Sequence, residues 1–254
     1  MPPTTTTNNI RAIDQFRLGD EVADRLRRAI LVGELEPGTH LVESVLSADF
    51  DVSRGPIRDA LRELENEGLV EARRRGLFVT GLTRDDVWEL YTLRAALDLV
   101  ALDLAVERFR PVDFAHLREL VKAMESAVTD GRMADFAQAD MDFHSAFYAR
   151  AGHRRLLKAW QGMVRTFRVL IEVTDLENPD VSSIVREHRE ILDAAERRDV
   201  ATLRARIGES LDRALEIFQH RMPTMEPMTA THLPPSAMLA TGASEAGEDA
   251  VAAK

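Results

Sequence analysis

Cysteine is absent from this 254-residue chain, which excludes a disulfide framework and thiolate chemistry. Lysine is nearly absent as well. Lys122, Lys158 and Lys254 are the whole set, so arginine carries almost all the positive charge. No apolar run approaches the roughly 20 residues needed to span a bilayer. The opening MPPTTTTNNI has neither the basic nor the apolar segment of a signal peptide. A cytoplasmic protein without a membrane partner is the expectation. Net positive charge is missing too: the formal net charge is −10, which argues against indiscriminate binding to polyanions.

What is present is ordered. The chain is long enough for two domains, each with its own core. Residues 1–14 read as a disordered Thr/Asn/Pro-rich arm and 222–254 as a disordered tail. Val22, Leu26 and Ile30 recur at helical spacing over Leu18–Val32, and Gly33 closes that helix. Glu43-Ser44 opens a second, short helix containing Val45, Leu46 and Ala48. Asp49 to Asp51 then turn the chain into the stretch VSRGPIRDALRELENEGLV, residues 52–70.

That stretch carries its own punctuation. Ser53 is placed to cap a helix, and Pro56 suits its first turn. Ile57, Ala60, Leu61 and Leu64 form an apolar seam, while Arg54, Arg58 and Arg62 project from the other side, one turn apart. Gly68 stops the helix. Two short helices in tight succession, the second bearing basic residues, are the helix-turn-helix arrangement. Leu69–Ala72 and Leu77–Thr80 then read as strands flanking Arg73-Arg74-Arg75-Gly76, a basic hairpin tip. Residues 11–81 nevertheless hold 11 arginines against 14 acids, so nucleic-acid binding has to come from local placement of arginine, not bulk charge.

Residues 18–81 resemble the N-terminal winged helix-turn-helix domain of GntR-family bacterial transcription regulators. The resemblance rests on Ala29-Ile30-Leu31-Val32-Gly33, Leu35-x-Pro37-Gly38, Val52-Ser53-Arg54-Gly55-Pro56-Ile57-Arg58-Asp59-Ala60-Leu61, Glu67-Gly68-Leu69-Val70 and Arg75-Gly76-x-x-Val79. It implies double-stranded operator DNA as the partner, with Ser44, Ser53, Arg54, Pro56, Arg58, Arg74, Arg75 and Gly76 at the interface. Arg58 is the better candidate for base edges, since arginine pairs bidentately with guanine, and Arg54 for phosphate. Asp49-Phe50-Asp51 departs from the usual small or glycine residue before the valine.

From Thr83 onward the strand pattern stops. Thr83 and Asp86 form a capping pair, and six helices are expected, broken at Arg110-Pro111, Asp130-Gly131, Ala151-Gly152, 174–179 and near Asp199. The fold class is therefore mainly α: a winged helix-turn-helix over residues 15–81 and an antiparallel six-helix bundle over 82–221. Asp140 and His144, spaced i, i+4, share a helix face, and His188 lies on a later helix. Carboxylate plus imidazole from two inward-facing helices suits a divalent metal, although spacing alone fits a surface hydrogen bond better.

The bundle resembles the FCD effector domain of the FadR subfamily, through Asp140-x-x-Phe143-His144 and Glu187-His188-Arg189-x-Ile191. The resemblance implies a homodimer, a small organic-acid effector and a divalent metal (zinc, nickel or manganese) on Asp140, His144 and His188. The third histidine of that pattern falls on Ser210, a poor ligand, so the alternatives are a three-ligand site, a metal-free pocket or a register shifted by a turn. Arg94 either clamps an effector carboxylate or pairs with Asp98 at i+4. The expected function is an effector-controlled transcriptional regulator, a repressor by the commoner pattern, and not an enzyme. The rival reading is a helical hydrolase using Asp140, His144 and His188, for which the sequence offers neither nucleophile nor oxyanion site.

Overall fold

The computed structural model describes residues 10–175, 180–221 and 234–240. The chain divides into two compact units, one ending at Leu82 and the other starting at Thr83.

The first unit contains α1 (Ile10–Leu31), β1 (His40–Leu41), α2 (Glu43–Asp49), α3 (Arg54–Asn66), β2 (Val70–Arg73) and β3 (Gly76–Val79). Helix α1 begins upstream of Leu18 and takes in residues 10–14, which the composition had placed in a disordered arm. No proline or glycine stands between Ile10 and Arg17 to stop a helix growing backwards. Residues 1–9 lie outside the described residues. Val22, Ala23, Leu26 and Ile30 of α1 are buried, as are Ile57, Ala60, Leu61 and Leu64 of α3, and the two helices pack on each other. Ser53 is the N-cap of α3, but its side chain makes no capping hydrogen bond. The first turn relies instead on Pro56, whose missing N–H needs no partner there. Gly68 sits at φ +76°, the left-handed conformation that ends helices and that glycine adopts without a Cβ penalty.

The strands form an antiparallel sheet in the order β1-β3-β2. Val70 pairs with Val79 and Arg73 with Gly76, which leaves Arg74-Arg75 as the tip of the wing. The short extended piece near Leu41 is an outer strand, with His40 opposite Phe78 and Leu41 opposite Leu77.

The second unit contains α4 (Arg84–Val106), α5 (Pro111–Thr129), α6 (Met133–Arg150), α7 (Arg154–Gln161), α8 (Val164–Asp175), α9 (Val181–Glu196), α10 (Val200–Arg221) and α11 (Pro235–Ala240). Thr83 and Asp86 close a capping box at the head of α4. At α5, Asp113 Oδ2 accepts from the Arg110 backbone N–H at 2.8 Å while Pro111 takes the first turn. Two expectations change. The helix read over 153–173 is two, because Gly162 caps α7 and the chain restarts at Val164. The break lets Trp160 stack on Tyr148, with centroids 4.5 Å apart and planes 7° from parallel, while Phe167 and Leu170 are buried from α8. Part of the tail read as disordered is also helical: α11 packs on α4 and α10, and the Ser236 N–H donates to Asp212 Oδ1 at 2.9 Å. Six residues are too few to show a helical period. Residues 222–233 and 241–254 lie outside the described residues.

Candidate nucleic-acid interface and effector site

In the first unit Ser44, Ser53, Arg54, Arg58, Arg62, Arg74, Arg75 and Gly76 are exposed. The seam of α3 faces the core, so its arginines have only the outer side to occupy. Arg58 is held at the foot of α2, where its Nε donates to Glu43 Oε2 at 2.8 Å. Pro56 is a correction. It is buried in the seam, so it shapes the start of α3 and offers no surface to a nucleic acid.

The acidic balance of this unit has a structural explanation that the sequence did not disclose. Arg27 is completely buried. Its Nε and Nη2 donate to the two oxygens of Glu67, each at 2.7 Å, and Nη2 also reaches Glu63 at 2.9 Å. Its Nη1 donates to Asp24. Three of the acids counted against nucleic-acid binding are thus spent on Arg27, and two of them, Glu63 and Glu67, join α1 to the C-terminal end of α3.

In the second unit Asp140 and His144 of α6 and His188 of α9 are all buried, and their ligating atoms lie within 4.8 Å of one another. His188 Nδ1 stands 2.8 Å from the Ile184 carbonyl oxygen. A carbonyl can only accept, so Nδ1 carries a hydrogen, and Nε2 is aimed inward. That Nε2 lies 2.8 Å from Asp140 Oδ1 yet has no hydrogen-bond partner of acceptable geometry. Such a contact is favourable only if a proton or a cation stands between the two. Burial opposes ionisation of Asp140, but His188, followed by His144 and Arg94, holds its carboxyl down at about 2. Burial, then the neighbouring Arg94 charge, pushes His144 well below its ordinary range, which keeps a neutral imidazole and a free lone pair. A carboxylate, a neutral imidazole and a second imidazole fixed by a backbone carbonyl make a donor set that fits a divalent cation.

Arg94 lines a cavity of about 40 Å³ together with Asp140, His144 and Ser210. The residue in place of the expected third histidine therefore faces the same space. The guanidinium carbon lies 5.3 Å from the Trp160 ring and 5.0 Å from Phe167. Its Nε is 3.4 Å from Asp98 Oδ2, and neither atom has a hydrogen bond. Both readings of Arg94 therefore describe one side chain: it faces the cavity and is backed by Asp98. Tyr148 steadies the arrangement by donating to Asp98 Oδ1 at 2.5 Å. Burial raises the Asp98 carboxyl despite Arg94 and Tyr148, and burial followed by the Asp98 charge raises the Tyr148 phenol. Sequence reasoning missed Tyr148, and no spacing signal could have found it 50 positions from its partner.

The family description "Bacterial regulatory proteins, gntR family" matches residues 18–79, and "FCD domain" matches residues 89–213. An HTH-type transcriptional regulator in an unstable DNA locus of Streptomyces ambofaciens is 31% identical over 184 residues, covering 71% of this chain and 76% of that protein. The chain belongs to the GntR family. Another relative is the gluconate operon transcriptional repressor of Bacillus subtilis, 26% identical over 76% of this chain and 82% of that protein. Among solved structures, Escherichia coli McbR shares the fold with a TM-score of 0.66 at 22% identity, covering 80% of this chain and 98% of that one. This GntR-family chain is thus a DNA-binding transcription regulator with an FCD effector domain, and not an enzyme. The hydrolase reading of Asp140, His144 and His188 finds no support. Among the described residues, no helix is long and apolar enough to cross a membrane.

Proposed function

We propose that the protein is a cytoplasmic, homodimeric repressor released from its operator by a small organic acid. The two heads would enter successive major grooves of a short palindromic site, with Arg58 on base edges, Arg54 and Ser44 on the backbone, and Arg74, Arg75 and Gly76 at the minor groove. The observation that carries the effector half is the convergence of Arg94, Asp140 and His144 on one cavity. A guanidinium there binds a carboxylate, and the bound acid shifts the balance between operator-competent and released arrangements. The gluconate operon repressor among its relatives fits an acid as the signal.

Asp140, His144 and His188 would hold a divalent zinc, nickel or manganese ion. When bound, the ion supplies a Lewis-acidic anchor for the effector. The chain's own residues do the rest: Ile184 orients His188, and Arg94 neutralises the carboxylate. Protein purified from metal-supplemented cells is expected to carry close to one ion per chain, and less than about a tenth would sink the metal assignment.

Fluorescence anisotropy on the DNA flanking the protein's own gene tests the rest. Affinity should fall with salt by about one power of concentration per phosphate contacted. Arg54→Ala should lower that slope by about one, whereas Arg58→Ala should cost roughly 1–3 kcal/mol and relax preference at one base pair. Arg94→Ala should leave operator affinity intact and abolish release by the acid. Salt-insensitive binding, or release that survives Arg94→Ala, would refute the proposal.

A further inference from the structure

The cavity that Arg94 faces has a second wall of opposite character. Ile171 of α8, Ile184 of α9, and Leu211 and Ile217 of α10 line it with side chains that neither donate nor accept. Beyond the cluster around Asp140, side-chain hydrogen bonding falls to Ser210 and Arg213. Arg213 is oriented away from the isoleucines by Glu187, to whose carboxylate both of its terminal nitrogens donate, although a guanidinium keeps further N–H groups beyond those two. Ser210 and the outer edge of that guanidinium are left to serve whatever the acid carries beyond its head, and both stand apart from the four aliphatic side chains.

From this asymmetry we infer that the effector is a monocarboxylate with a short, unhydroxylated hydrocarbon chain, its head on Arg94 and its tail on the isoleucine wall. The inference rests on the effector site proposed above and narrows it. A polyhydroxylated acid would bury several hydroxyls against Ile171, Ile184 and Ile217, and each one left without a partner costs about tenfold in affinity. A methylene at the same place gains roughly fourfold by leaving water. Size points the same way. The cavity of about 40 Å³ exceeds the space one water needs by only a few times, so a tail of a few carbons fills it with little parting of α8 and α10.

The test compares two acids of equal charge, 4-methylpentanoate and gluconate, by calorimetry and thermal shift on the full chain. The aliphatic acid should bind at least a hundredfold more tightly and alone raise the melting temperature. Ile217→Thr, at a half-buried position of the lining, should weaken it by about tenfold, and Arg94→Ala should abolish its binding. If gluconate binds as well or better and loses its affinity in Arg94→Ala, the class is overturned while the site stands. If neither acid binds, or if binding ignores Arg94→Ala, the site itself fails and the inference with it. An aliphatic acid indifferent to Ile217→Thr overturns the wall.

Discussion

Arg27 and His144 are opposite answers to burying a titratable side chain. Arg27 stays charged because Asp24, Glu63 and Glu67 surround it. Glu67 is the buried partner, whereas Asp24 and Glu63 are about a third exposed, so removing Arg27 costs at most the roughly 3–5 kcal/mol typical of breaking a buried pair. Arg27→Met should therefore destabilise the winged unit by that order, read as lost hydrogen-exchange protection in α1 and α3. An unchanged protection pattern would show that the acids find water instead. His144 is held neutral, so the sign of its pH effect is fixed. The unfolded chain takes up a proton as pH falls through about 6.5 and the folded one does not, so stability drops with acidification by at most about 1.4 kcal/mol per pH unit. Asp140 acts in a separate window: its contribution is present above about 4 and is lost as pH falls toward 2. Urea midpoints at pH 7.5 and 5.5 in chelator should differ, and His144→Phe should flatten the difference. Helical spacing made His144 legible as a neighbour of Asp140, and Arg94 as a neighbour of Asp98. Arg27 was not legible, because a period-based reading assigns every arginine to water.

The wing shows the same at the level of an element. Alternation and the glycine placed the hairpin to within a residue, and what it could not supply is the packing that stiffens it. His40 stacks on Phe78 with centroids 4.6 Å apart, and the Arg73 guanidinium lies 5.0 Å from the same ring. Gly76 closes the turn at φ +131°, and a Cβ there would stand 2.5 Å from His40 Nε2. Gly76→Ala should therefore distort the tip and displace His40, lowering operator affinity by roughly tenfold through lost preorganisation while circular dichroism stays unchanged. His40→Ala added to it should recover only part, because the backbone strain remains. Full affinity in Gly76→Ala would mean that the tip does not touch DNA. Helix breaks were legible where proline or an Asp-Gly pair stood. The break at Gly162 was not, since an apolar period runs through it and the stacking of Trp160 on Tyr148 that accompanies the bend leaves no mark in the spacing.

For the whole molecule, the division into a head and a helical unit is readable as a change of period near Gly81, from strand alternation to helical spacing. The capping box that opens the helical unit was legible too, in the spacing of Thr83 and Asp86. Thr83 fixes the first turn of α4, four residues after β3 ends at Val79. Eleven residues beyond Thr83 on the same helix, about 16.5 Å at helical rise, stands Arg94. Under the proposed function, the covalent joint Thr80-Gly81-Leu82 between β3 and α4 is one route by which effector binding would reach the head. Lengthening that joint with a six-residue Gly/Ser insert should leave operator binding and acid binding both measurable in one protein, yet make each deaf to the other. A lever with slack in its fulcrum moves at one end only.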